Sequence, residues 1–304
     1  MAESVLIATK YSITVCCAVA LVENLLVIAV FAGTKKLRIK YYAFVFNLAL
    51  ADLMYAVLGI AIPWIRLFIL DGLYATSYTV SILTIFCAAI NRYLALSIMP
   101  PARYDSLVTK YRLIGVCVLL WCFALAYGLL TYLVASPTFE VFDAITSLGY
   151  SMVVFIVWVI TALAYFLAFR KIKQYTPPLA STAGISANME RDQTRVRQTR
   201  RLLILFVLIL VTAFFSWMPY GILSLIAYFN PYLYYDRTYV ALFWVGTLLY
   251  TLSTVINPLL YWWRLDGFKE GFYALFCRCV IKAEPRETEV ERSENENTVA
   301  DTGV

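Results

Sequence analysis

Long apolar runs recur along this chain, separated by short clusters of charge. Seven runs can be marked out: about Ile13 to Gly33, Tyr41 to Arg66, Gly72 to Met99, Leu113 to Ala135, Thr146 to Phe169, Leu202 to Phe229 and Thr238 to Trp263. A helix needs about 20 apolar residues to cross a bilayer, and most of these runs exceed that. Backbone groups find no water in hydrocarbon, so each run is predicted to be helical. The expected fold is an all-α membrane protein, a seven-transmembrane helix bundle. From Asp266 to Lys282, Phe268, Phe272, Leu275, Phe276 and Val280 recur at helical spacing, which predicts a short amphipathic eighth helix lying on the bilayer. Residues 1–282 then form the bundle domain, and the acidic, polar stretch 283–304 is expected to be a disordered tail.

Charge fixes an expected orientation. Basic residues cluster after the first run (Lys35, Lys36, Arg38, Lys40), after the third (Arg103, Lys110, Arg112) and after the fifth (Arg170, Lys171, Lys173, then Arg191 to Arg201). The opposite side carries only Lys10, Arg66 and Arg237. The positive-inside bias puts the N-terminus outside the cell and the C-terminus in the cytoplasm, a multi-pass plasma-membrane topology. The stretch Tyr175 to Glu190, with Pro177 and Pro178, reads as a mobile cytoplasmic loop.

Composition narrows the chemistry. Charged residues make up 14% of the chain against the roughly 25% of a soluble domain, and 62% of it is hydrophobic. The net charge of +6 sits in loops near the membrane, with no basic patch interleaved with aromatics outside the runs, so nucleic-acid binding is set aside. There is no histidine, which removes His metal sites, Ser-His-Asp triads and His general bases together; no enzyme is expected. None of the seven cysteines falls in a predicted external loop, so no structural disulfide is expected. Cys277 and Cys279, at the end of the eighth helix, read either as palmitoylation sites or as ordinary free thiols. No internal repeat supports an inverted-repeat transporter.

The polar residues inside the runs carry the functional signal. Arg92, in Asn91-Arg92-Tyr93, stands at the inner end of the third run, where an ionised group is costly unless it meets water, a partner or a docking protein. Asp52 is an acid within the second run, with Asn24, Ser81, Ser253, Thr254 and Asn257 as polar candidates around it. One carboxylate with several neutral oxygens suits a small hard cation such as Na⁺; the competing reading is a protonated aspartate that joins helices. Glu23 reads as structural. Pro219 breaks the sixth run two residues after Trp217, and a proline there kinks a helix. Pro258 follows Asn257 near the inner end of the seventh run, and Tyr165 and Tyr261 are expected to swing toward Arg92.

Asn24, the stretch Asn47 to Leu53, Asn91-Arg92-Tyr93, Trp121, Trp217 with Pro219, and Asn257-Pro258 with Tyr261 occur in this order, essentially one group to each run. In them the chain resembles the rhodopsin-like family of G-protein-coupled receptors over about residues 10–282. Glu23 to Ile28 and Ala102 to Thr109 look like the branch holding melanocortin, lysolipid, cannabinoid and adenosine receptors. The resemblance implies a receptor that binds an extracellular ligand and activates a heterotrimeric G protein. Arrestin is a second expected partner, with Thr288, Ser293, Thr298 and Thr302 as candidate phosphorylation sites. It implies sodium at Asp52 with Asn24, Ser81, Ser253 and Asn257, and no other cofactor. A ligand pocket is expected from Asp71, Tyr74, Tyr78, Tyr150, Tyr220, Ser224, Trp244 and Tyr250, suited to a lipid, an apolar small molecule or a short peptide.

Several positions depart from the family. Asn91 and Thr199 stand where relatives carry acids that restrain Arg92, so raised resting activity is expected. Ala213 and Ser216 replace a phenylalanine and a cysteine. The cysteine that normally opens the third run is absent, and the link before that run is expected to be only about Leu67 to Leu70. A non-signalling decoy receptor and a membrane transporter are the alternative readings.

Overall fold

The computed structural model describes residues 2–37, 42–65, 67–98, 101–132, 139–175 and 187–277. Among the described residues, seven helices are long and apolar enough to span a bilayer. They are α1 (Ala2–Gly33), α2 (Ala43–Ala61), α3 (Phe68–Ser97), α4 (Lys110–Leu130), α5 (Tyr150–Tyr175), α6 (Ala187–Phe229) and α7 (Arg237–Arg264). An eighth, α8 (Asp266–Phe276), follows at the inner end. Helix α5 is continuous with a preceding turn, Phe139–Asp143, and a π-helical segment, Ala144–Gly149. No strand occurs among the described residues.

Helix α3 packs against α2, α4, α5 and α6, while α1, α2 and α7 form the opposite wall. Its sequence permits that place. Thr76, Ser77, Ser81, Thr84, Ala88 and Ala89 are short side chains on its buried surface. Without a hydrophobic drive between helices in lipid, small residues let backbones approach and van der Waals packing do the joining. The closest approach is to α4: a Cβ added at Gly128 would lie 2.4 Å from the Gly72 carbonyl oxygen and 2.6 Å from Thr76 Oγ1. Thr76 Oγ1 also donates to Ala124 O at 3.2 Å. Outward-facing Val, Leu and Phe cover α4 and α5, as a lipid-facing surface requires.

The boundaries correct the sequence reading in four places. Helix α1 begins at Ala2 rather than near Ile13, so Lys10 lies within the helix. Helix α2 ends at Ala61, short of Arg66, because Pro63 lacks the N–H that another turn would need. The link into α3 therefore comprises 62–67, and Leu67 to Leu70 is not the link: Leu67 caps α3 and the next three residues belong to it. Helix α6 extends inward to Ala187, inside the stretch expected to be a loop, whereas residues 176–186 lie outside the described residues. Arg38, Lys40, Arg66, Ser136, Cys279 and the tail with Thr288, Ser293, Thr298 and Thr302 also lie outside them.

The amphipathic helix ends at Phe276, and Cys277 follows it directly. It docks on the inner end of α1 through a contact that only glycine allows, since a Cβ at Gly271 would lie 2.2 Å from Thr34 Oγ1. Trp262 of α7 anchors it from the other side, 4.9 Å from the Phe272 ring.

Candidate functional site

At the inner end of the bundle Arg92 is fully buried, with 0% of its surface exposed. Tyr165 and Tyr261 are both buried. The Arg92 charge acts electrostatically on Tyr165, whose hydroxyl donates to Ile85 O at a long 3.4 Å. The Tyr261 hydroxyl is buried and has no hydrogen-bond partner among the described residues. Asn91 points away to a different neighbour: its Oδ1 accepts from the Tyr104 hydroxyl at 2.8 Å. Tyr104, on the short helix Pro101–Leu107, was not expected from the sequence, since nothing in a lone tyrosine marks such a bond. Tyr93 is only half-buried.

Asp52 is 2% exposed. Its Oδ2 accepts from Asn257 Nδ2 at 2.8 Å, and its Oδ1 from Ser81 Oγ at 3.4 Å. Three of the expected polar residues, on α2, α3 and α7, thus converge. The other three bond elsewhere, Thr254 Oγ1 donating to Thr251 O at 2.7 Å. Asn24 Nδ2 donates to Thr254 O at 3.2 Å and Ala20 O at 2.9 Å, and Ser253 Oγ accepts from Trp217 Nε1 at 3.2 Å. The Asn24 Oδ1 acceptor is buried and has no hydrogen-bond partner among the described residues. Nearby, Asn47 braces three helices: it donates to Thr84 Oγ1 at 2.7 Å and accepts from Trp121 Nε1 at 3.0 Å.

Between the outer halves of the helices lies a cavity of about 240 Å³. Asp71, Tyr74, Tyr78, Tyr150, Tyr220, Trp244 and Tyr250 line it as expected. Ser224 does not: its hydroxyl turns back to Tyr220 O at 3.0 Å within its own helix. Gly59, Thr146 and Thr247 join the lining from positions that no sequence pattern singled out. Tyr55, buried in the apolar α2, was also missed; Tyr74 donates to its hydroxyl, which lies 3.0 Å from Thr251 Oγ1.

Aromatic contacts run from this cavity downward. The Tyr78 ring lies 4.5 Å from Tyr150, 4.4 Å from Tyr250 and 5.3 Å from Trp217. Trp217 in turn bonds Ser253, one helical turn outward of Asn257 and its bond to Asp52. Pro219 lies within α6 two residues after Trp217, and Pro258 lies within α7 beside Asn257. The arrangement is a cavity beside a proline-bearing helix, with packed rings and one polar cluster leading from it toward the end of the bundle where Arg92 is buried.

Residues 23–261 match the profile of the 7 transmembrane receptor (rhodopsin family). Cannabinoid receptor 1 of Xenopus laevis is 27% identical over 302 aligned positions, covering 88% of this chain and 63% of that protein. G-protein coupled receptor 3 of Rattus norvegicus is 27% identical, covering 84% of this chain and 79% of that one. Adenosine receptor A2b of Mus musculus is 26% identical, covering 66% of each.

Proposed function

This chain belongs to the rhodopsin family of seven-transmembrane, G-protein-coupled receptors, and we propose that it converts binding of an extracellular ligand in the outer cavity into activation of a heterotrimeric G protein at Arg92. The observation that carries this reading is the run of contacts from the cavity toward the opposite end of the bundle: Tyr78 and Tyr250, Trp217, then Ser253, one helical turn from the Asn257 that bonds Asp52. An agonist shifts the equilibrium only by binding the active state more tightly than the resting one. The moving element is α6, pivoting at Pro219, where the missing backbone hydrogen bond makes bending cheapest. Outward motion of its inner half exposes Arg92 and gives Tyr261 and Tyr165 new partners beside it. A G-protein segment docks in that opening, and arrestin competes for the same face.

The cavity's size and its aromatic lining, with Asp71 as the one carboxylate among the described lining residues, suit an apolar small molecule, a lipid or the end of a short peptide. The N-terminus faces outward at the plasma membrane and the basic loops face the cytoplasm. The chemistry around Asp52 fits Na⁺: one carboxylate, the Ser81 hydroxyl and the Asn257 amide oxygen are hard donors. Bound there, the ion would add charge that favours the packed resting state.

The test is ligand-free G-protein activation in cells across the main G-protein classes, for the native chain and Arg92→Ala at matched surface expression. A native signal that Arg92→Ala changes is expected and names the partner. Absence of signal in every class would favour a decoy receptor or a transporter, which substrate flux in vesicles would separate.

A further inference from the structure

At the outer end of the bundle, α5, α6 and α7 are joined by a second polar cluster that the run of contacts from the cavity does not use. Asp143 is 7% exposed and Ser147 6% exposed. Ser147 Oγ donates to Asp143 Oδ1 at 2.6 Å, and the Tyr234 hydroxyl donates to the same oxygen at 3.0 Å. Asp143 ends the turn Phe139–Asp143, and Ser147 lies in the π-helical segment that follows it. Tyr234 belongs to the 3-10 turn Pro231–Tyr235, which connects α6 to α7.

That connection is short and stiff. Helix α6 ends at Phe229, Asn230 N still donates back to Ile226 O and Ala227 O, and α7 opens at Arg237. Asp236 caps α7 by accepting from the backbone N–H groups of Thr238 and Tyr239 at 2.6 and 3.0 Å, which holds its carboxyl below the usual range. Tyr239, so placed, donates its hydroxyl to Leu223 O of α6 and meets the Tyr234 ring edge-on at 6.4 Å. On the other flank Ser151 Oγ donates to Gly221 O at 3.2 Å. The segment of α6 outside Pro219 is therefore pinned from both sides. In the same structure the inner end is shut over a wholly buried Arg92. A continuous helix that tilts about one point acts as a lever and moves both ends at once, so pins on the outer end resist motion of the inner one.

We propose that Asp143, Ser147 and Tyr234 form an outer latch that holds α6 in the shut arrangement, an autoinhibitory contact released when α6 pivots. This inference rests on α6 being the moving element of the receptor. Thr146, between the latch residues on the π-helical segment, lines the ligand cavity, so a ligand pressing on that wall acts on the latch directly. π-Helical turns are irregular and recur at functional positions, in keeping with a segment that shifts.

Hydrogen–deuterium exchange on the purified full-length chain in lipid nanodiscs tests this without any G protein. The variants are Tyr234→Phe, which removes one oxygen from a half-buried ring, Asp143→Ala, and the two together. Exchange at the inner end of α6, residues 199–206, is expected to quicken about three- to tenfold in each single variant. The double variant should exchange no faster than the singles, since either change opens the same contact. Quickening confined to 139–149 and 230–239, or none at all, would overturn the latch and leave a local brace. Failed ligand-free signalling would instead count against G-protein coupling and leave the exchange result standing.

Discussion

At Asn91 the question is the resting balance. A carboxylate there would pair with Arg92, whereas the amide instead accepts from Tyr104. Replacing Asn91 with Asp is expected to lower ligand-free G-protein activation several-fold, because a charge-assisted bond to a buried guanidinium is worth about 1.5–3 kcal/mol. Unchanged basal activity in that variant, at equal surface expression, would mean that Arg92 is restrained by other groups. At Asp52 the question is the ion. Asp52→Asn keeps an acceptor for Ser81 but removes the charge. Sodium should lower agonist affinity in the native chain and leave the variant's affinity unmoved, as a titration from sodium-free buffer would show; equal sodium sensitivity in both would refute the site. Arg92, Asp52, Trp217 and Asn257 were legible in the sequence because polar or proline-linked residues stand out in apolar runs. Tyr104, Tyr55 and Thr84 were not, because a tyrosine or threonine in a helix gives no sign of which neighbour its hydroxyl will meet.

Between elements, α3 and α4 meet backbone to backbone. The added Cβ at Gly128 would meet a backbone oxygen, which cannot turn aside as a side chain can. Gly128→Ala should therefore push the two helices apart and cost about 1–3 kcal/mol. Gly115 lies on the same helix with nothing within 4 Å of its added Cβ. Gly115→Ala should match or slightly exceed the native melting temperature, while Gly128→Ala should fall below it; equal melting of the two would show that the joint yields. Element existence followed from apolar run length alone. Element ends did not: Pro63 stopped α2 early, and the polar start of α1 joined its helix because the bundle gives residues such as Thr9 a buried place.

For the whole molecule, the outer cavity, the latch and the buried arginine sit at opposite ends of one bundle, so their sidedness decides function. An epitope tag at the N-terminus should be reached by antibody on intact cells, and a tag at the C-terminus only after permeabilisation. The reverse pattern would put the cavity on the cytoplasmic side and remove the receptor mechanism. The outer latch and inner Arg92 site then pull on one helix from its two ends. A ligand needs only to bind better when α6 has pivoted, and a preference of about 5.5 kcal/mol would turn a 1:99 population into 99:1.

By itself the sequence determined that the chain crosses a membrane as seven helices and which polar residues lie inside them. Both follow from local physics: apolar length and the cost of unpaired backbone and charge in hydrocarbon. Only the tertiary structure decided which of those residues meet. It drew Ser81 and Asn257 to Asp52 and turned Asn24 and Ser253 to other partners. It closed Asp143, Ser147 and Tyr234 into one cluster across 91 positions of chain. Helix rotation and side-chain hydrogen bonding depend on the packing of all neighbours at once, and no single run of sequence contains that information.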